Sequence, residues 1–305
     1  MLFRTLFLYR SPALPSDAEL ERALASASIR EPGALEPFCL GFASPWGGAD
    51  ERLVLASGPR LLLRFVRAER VLPASVLAAA VEDLAAAFRR AEGRDPARSL
   101  RRRWRAEKLA ELLPRALVRR RSGWVLLDRG AGWIALAASS RARAEEALSL
   151  LRSALGHLPA RPIRPRRDPA ARFTAWVSGE ALPAGFSLGE GALLRGEDGA
   201  RVRIQGSVPR GEAIRAYLAE GLRVVRLELG FRERLVFELR EDLSLARIRM
   251  VGEFSEDESG EDRLASQFAL EAGELSLLFG ELQRLFEIAE AEENEKAIPT
   301  PLSVR

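Results

Sequence analysis

Between Arg89 and Arg121 the chain reads RRAEGRDPARSLRRRWRAEKLAELLPRALVRRR, with thirteen arginine or lysine residues against four carboxylates. A guanidinium group donates hydrogen bonds in a fixed fork that fits two phosphate oxygens, so the chemistry on offer is recognition of a phosphate backbone. Leu100, Trp104, Leu109, Leu112 and Leu113 are interleaved at spacings close to helical. A helix that packs this stripe shows its arginines elsewhere, which makes Arg89, Arg90, Arg94, Arg98, Arg101, Arg102, Arg105, Arg115, Arg119 and Arg120 the candidate phosphate contacts. Arg101, Arg102, Arg105 and Arg119 lead this set because they flank Leu100, Trp104 and the Pro114 break. Arg203, on a later hairpin, joins them, and Arg161–Arg167 or the Arg247/Arg249 strand are the alternative surfaces. The same run also reads as a solvated helical face.

The rest of the composition excludes more than it offers. One cysteine (Cys39) and one histidine (His157) allow neither an intrachain disulfide nor a zinc site of Cys and His ligands. Cys39, within PFCLGF, reads as a small buried side chain, and His157, after Gly156, as a cap or surface residue. Neither Lys108 nor Lys296, the only lysines, follows a phosphate-cradling loop, and GEGALL at 189–194 lacks the last glycine of a dinucleotide fingerprint. Carboxylates remain the one class from which a catalytic site could be built, and pairs such as Glu145/Glu146 look like helix surface. The expectation is therefore a protein that is not an enzyme, with no cofactor and no metal. MLFRTLFLYR at the start is too short for a membrane span and lacks the form of a cleavable signal, and no apolar run reaches eighteen residues. A soluble cytoplasmic protein is expected. Residues 251–305 carry a net charge of −10 within a total of +4, so the first 250 carry +14, a basic working surface beside an acidic segment.

Elements must place these charges. Leu2–Tyr9 reads as a strand covered on both faces. A helix capped by Ser16 or Asp17 runs to about Ala27, and strands follow at Arg52–Ala56 and Leu61–Val66. Leu77, Val81, Leu84 and Phe88 make a helical stripe that ends near Gly93, and Asp95-Pro96 reads as the cap and first residue of a second helix that Pro114 ends. Strands return at Trp124–Leu127 and Trp133–Ala137, and Ser140 caps a helix that closes at Gly156. The two helices are thus inserted between strands of one α+β unit, either as a projecting arm or as a pair packed flat on the sheet. Pro159, Pro162, Pro165 and Pro169, mixed with arginines, mark a linker. Beyond it are expected a strand at Arg172–Val177, a hairpin at Asp198-Gly199, a helix at 211–220, and strands at Leu222–Leu229, Arg234–Leu239 and Leu243–Met250. An acidic loop (Phe254–Arg263), a helix (Glu271–Ile288) and a frayed tail from Glu290 complete the chain. The fold class is α+β: a central domain of 1–72 and 122–158, an inserted helical tip at 73–121, a linker at 159–171, and an α+β base domain at 172–305.

MLFRTLFLYR, LGFASPWG at 40–47, ERVLP at 69–73, LLPRA at 112–116, LLRSALGHLP at 150–159, TAWV at 174–177 and GEL at 273–275 resemble, in order and spacing, the bacterial recombination-associated protein RdgC family. The resemblance spans nearly the whole chain. It implies a ring-shaped homodimer that encloses duplex DNA with little sequence preference, binds single strands more weakly, and antagonises RecA-promoted recombination by occupying DNA in the nucleoid. It also implies a tip contact between subunits, which Leu113 and Leu117 would make here. Leu117 stands where the family can place a larger aromatic, and Gln205 and Gly206 follow Arg203 where relatives can place lysines. An RNA- or ribosome-associated basic protein is the competing class; the exposed Phe/Tyr strand motif by which a common RNA module stacks bases is missing.

Overall fold

The computed structural model describes residues 1–48, 50–252 and 261–289. The strands are β1 (Thr5–Arg10), β2 (Phe38–Ala43), β3 (Val54–Ser57), β4 (Arg60–Val71), β5 (Leu117–Asp128), β6 (Trp133–Ala137), β7 (Arg161–Pro162), β8 (Phe186–Arg195), β9 (Arg201–Gln205), β10 (Arg223–Phe231), β11 (Leu235–Arg240) and β12 (Leu245–Met250). The helices are α1 (Asp17–Ser26), α2 (Ala74–Glu92), α3 (Arg98–Leu112), α4 (Arg141–Leu155), α5 (Pro169–Ser178), α6 (Glu212–Ala219) and α7 (Glu261–Phe286), with a 3-10 turn at Leu113–Arg115.

The protein is mixed α+β, and its strands form one sheet in the order β2-β4-β5-β6-β1-β12-β11-β10-β8-β9. β1 is the keystone: it pairs with β6 on one side and, through Thr5↔Ala246 and Leu6↔Leu245, with β12 on the other. Its apolar composition follows from burial on both faces. Phe7 and Tyr9 point to a core closed by α1 and α4, while Leu6 and Leu8 point to a core closed by α5 and α7. The alternation continues across β4, β5 and β6, where Leu61/Leu62, Val125/Leu126 and Ile134/Ala135 divide between the same two cores.

Past β1 the described residues cover the sheet on one side only. Leu227, Leu229, Phe237, Leu239, Leu245 and Ile248 all point to the core under α5 and α7, where Phe286 meets Phe173 and Trp176 edge-on. Among the described residues no helix closes a core over their opposite face. Buried Glu271 on α7 (0 % exposed) accepts from the backbone amides of Leu2 and Phe3 and from the side-chain amide of Gln267, which fixes the N-terminus against the sheet.

Four expectations need correction. Residues 172–177 are helical, within α5. Asp168 accepts from the amides of Ala170 and Ala171, Pro169 stands in the first turn, and Phe173, Trp176 and Val177 make one buried stripe, so helical period overrides the strand-like composition. Asp95 does not cap α3. The helix starts at Arg98 after Ala97 without a side-chain cap, and Asp95 instead pairs with Arg89 at 3.3 Å. The inserted segment ends sooner than Arg121, because β5 begins at Leu117 and pairs with β4 in an unbroken register from Val71↔Leu117 to Arg60↔Asp128. α7 starts ten residues before Glu271, since Leu264, Ala265 and Phe268 extend its apolar side and Glu261 and Asp262 suit its N-terminal dipole. Most of the expected acidic loop and the tail from Glu290 lie outside the described residues.

The Pro/Arg stretch after Leu158 is tied at both ends. β7 pairs with β1, and the amides of Arg166 and Arg167 donate to the Phe286 carbonyl. Cys39 is buried, with its thiol donating to the Arg30 carbonyl, and His157 is exposed beyond Gly156.

Candidate nucleic-acid interface

The arm is built as the sequence suggests and is nearly self-contained. α2 and α3 pack on each other, with Phe88 edge-on to Trp104 at 5.8 Å, and make little contact with the sheet. α3 buries no residue fully. Arg98, Arg101, Arg102 and Arg105, at successive helical spacings, line a groove with Ala78, Val81 and Glu82 of α2. Glu82 takes ion pairs from Arg89 (2.7 Å) and Arg101 (3.0 Å), and these arginines hold its carboxyl below the usual range. Arg98, Arg102 and Arg105 of α3, and Arg115 just beyond it, have no ion pair among the described residues and are free to meet a phosphate. Arg90 donates to the Ala86 carbonyl of its own helix, Arg94 lies 3.8 Å from Glu92 and near the Phe88 ring, and Arg115 is exposed at the 3-10 turn.

Arg119 and Arg120 are not on the arm. Both belong to β5, where Arg119 pairs with Glu69 across the ladder at 2.5 Å and Arg120 pairs with Glu31. The Arg119 guanidinium, helped by Arg67, holds the Glu69 carboxyl below the usual range against the opposing effect of burial. Leu113 is buried, at 6 % exposure, whereas Leu117 is 83 % exposed and faces its ladder partner Val71 at the root of the arm rather than at its far end.

A second arginine surface comes from residues far apart in sequence. β1 and β6 stop short of the end of the β4–β5 ribbon, which leaves a recess at the sheet edge lined by Arg4, Phe65, Arg67, Arg121, Trp124 and Arg143. Gly123 is needed there, since a Cβ would sit 2.4 Å from the Phe65 ring and the Ala137 carbonyl. The recess continues past Met1, Arg4 and Thr5 to Arg247 and Arg249 of β12. A bulge in β12, with Ala246 opposite Glu238 but Arg249 opposite Val236, puts Arg247 in the left-handed region at φ 52° and holds Ile248 N against the Arg4 carbonyl at 3.1 Å. Next to it, Arg203, Arg226 and Arg247 surround Glu228 and Glu238 on the uncovered face of β8–β12. Arg203 is the one predicted contact on this face. Arg247 and Arg249, the alternative strand surface, lie on it, while Arg161 is in the β7 pairing with β1. The sequence did not single out Arg4, Arg121, Arg143 and Arg226. The polar alternation of Arg226 and Glu228 within β10 was the available signal for that face; for Arg4 there was none without the register.

Alanine at Arg102 and Arg105 tests the arm directly. Duplex affinity is expected to fall on every sequence alike, and the slope of log affinity against log salt to flatten by about 1 for each phosphate no longer neutralised. An unmoved slope makes these arginines a solvated face.

The fold and these surfaces define a class: a mixed α+β protein on one antiparallel sheet, with an arginine-rich uncovered face and a basic helical arm. The family profile described as "Putative exonuclease, RdgC" matches residues 1–289. The chain is 34% identical over 302 residues to the "Recombination-associated protein RdgC" of Xanthomonas axonopodis pv. citri (strain 306), covering 96% of this chain and 100% of that protein. It is 33% identical to the protein of that name from Xanthomonas oryzae pv. oryzae (strain PXO99A) at the same coverage. The relative from Stenotrophomonas maltophilia (strain R551-3) is 31% identical over 301 residues, with 96% of this chain and 100% of the relative covered. The chain belongs to the RdgC family. Among the described residues no helix is long and apolar enough to cross a membrane.

Proposed function

We propose that this protein binds double-stranded DNA without sequence preference, encircles it as a homodimeric ring, and restrains RecA-promoted recombination in the nucleoid by occupying the DNA. The observation that carries the reading is the uncovered, arginine-lined face, assembled from β1, β5, β9, β10 and β12 and continuous past Arg4. Arginines spread over a surface address phosphates and leave base edges unread, which suits binding to any sequence. The relatives' name brings recombination to this reading. The central, arm and base portions expected from the sequence are its working parts: the base face and the arm each carry arginines towards the duplex, and single strands, with fewer phosphates per length, are held more weakly.

Ring closure is assigned to the apolar pair Leu117 and Val71, exposed at 83 % and 37 %. Apolar side chains so exposed at the neck of a projecting arm are suited to a two-fold contact with a second copy. Leu117→Asp is expected to leave the fold intact and to abolish retention on closed circular duplex, measured against the same duplex linearised. The parent protein should stay on the circle and run off the linear form. Equal retention of parent and variant on circles overturns the gate.

The family description raises nuclease activity as a second reading. Among the described residues no group of three or more histidine, cysteine or acidic side chains is placed to hold a metal ion. Glu228 and Glu238, the carboxylate neighbours on the basic face, are already engaged by arginines. Shortening of end-labelled duplex by purified protein with Mg²⁺ would establish the enzymatic reading.

A further inference from the structure

We propose that Glu228 and Glu238 set how tightly the basic face holds a phosphate backbone, keeping three of its arginines in exchangeable ion pairs so that binding stays weak enough for movement along DNA. The inference rests on the duplex-binding reading above. Glu228 of β10 and Glu238 of β11 are direct cross-strand partners, so their side chains share the uncovered face. Like charges placed opposite one another destabilise a sheet, and nothing in the core requires carboxylates here. Glu238 lies 3.0 Å from Arg240 and 3.6 Å from Arg226, and Glu228 lies 3.6 Å from Arg249.

The backbone is shaped around Glu228. A Cβ at Gly189 would sit 2.7 Å from its Cγ, and the amide of Glu190, at an irregularity in β8, donates to its carboxylate at 3.2 Å. The pair is therefore fixed within the arginine field, only 17 % and 12 % exposed, while Arg249 and Arg226 remain 64 % and 38 % exposed. Such an arginine can exchange a carboxylate for a phosphate with little movement. Each exchange leaves a carboxylate facing the duplex, and that repulsion offsets part of the gain. Fewer net phosphates are neutralised than the arginine count suggests.

The test measures binding of a fluorescent 30-base-pair duplex by the full chain, as parent, Glu238→Gln and Glu228→Gln/Glu238→Gln, across a salt series. Glutamine keeps the shape and an accepting oxygen for the Glu190 amide and for Arg240. The double variant is expected to bind about tenfold tighter, with a log–log salt slope steeper by about 2, as freed arginines from two subunits neutralise further phosphates. It should also leave linear duplex more slowly. Glu238→Gln, which releases Arg226 and Arg240 without touching the Gly189–Gly191 backbone, should move affinity and slope in the same direction. A purely structural role predicts lower stability with an unchanged or shallower slope, and that result, in either folded variant, overturns the inference. If the parent protein itself does not bind duplex, the underlying reading fails; if the parent binds and the variants match it, only the inference fails.

Discussion

Arg4→Glu combined with Arg247→Glu is expected to lower duplex affinity about 100-fold or more at moderate salt, with equal loss on unrelated sequences. The two side chains line one recess, next to each other across the β12 bulge, and neither has an ion pair among the described residues. Neither guanidinium is held by a paired carboxylate there, which leaves both available to phosphate. Reversal removes two positive charges per subunit and adds two repulsions, and a dimer presents the change twice. Because both residues are at the surface, the variant should unfold close to the parent's midpoint. A folded double variant whose affinity stays within about threefold of the parent would show that the backbone does not lie on this face, leaving Arg98, Arg102 and Arg105 on the arm as the contact.

The largest effect on stability is expected at Glu271. Its carboxylate is fully buried on α7 and accepts from Leu2 N, Phe3 N and Gln267, and the N-terminal ammonium lies 3.9 Å away. Alanine leaves two backbone donors and a nearby positive charge without their acceptor in a dry site, at a cost of about 3 kcal/mol or more. Glutamine, with one accepting oxygen, should recover roughly half of that loss. Denaturant unfolding of the two variants measures both values. Because the anchored amides lead directly into Arg4, the alanine variant should also lose duplex affinity. A cost under about 1 kcal/mol for alanine would mean that the first strand holds its place without this carboxylate.

How much of this could be read from the sequence depended on whether the signal was local. β1 announced burial on both faces through its unbroken apolar run, and the arm announced itself through Leu77, Val81, Leu84 and Phe88 followed by Gly93, which adopts the left-handed conformation that closes α2. α5 reads as a strand because Thr174 and Val177 carry strand propensity, while the helical stripe of Phe173, Trp176 and Val177 shows its worth only once Phe286 packs on it. The charges were harder. Arg119 looked like an arm arginine until a ladder brought Glu69, fifty residues earlier, beside it. Arg4 gave no sign at all, because its neighbours Arg247 and Arg121 reach it only through the pairing of β1 with β12 and of β6 with β5. Charge density marked the arm; the uncovered face had to be assembled from five strands.

The continuous sheet from β2 to β9 also governs how the molecule responds to load. Its seam between β1 and β12 rests on two register pairs, but α7 packs across that seam on Trp133 and on the core of β10–β12, so the sheet moves as one leaf. The arm leaves that leaf only at Val71 and Leu117, and its helices are braced chiefly by each other. Compliance is concentrated at this neck. Strain applied across the protein is taken up there, by swinging α2 and α3 as a lever, while the arginine field on the leaf keeps its spacing.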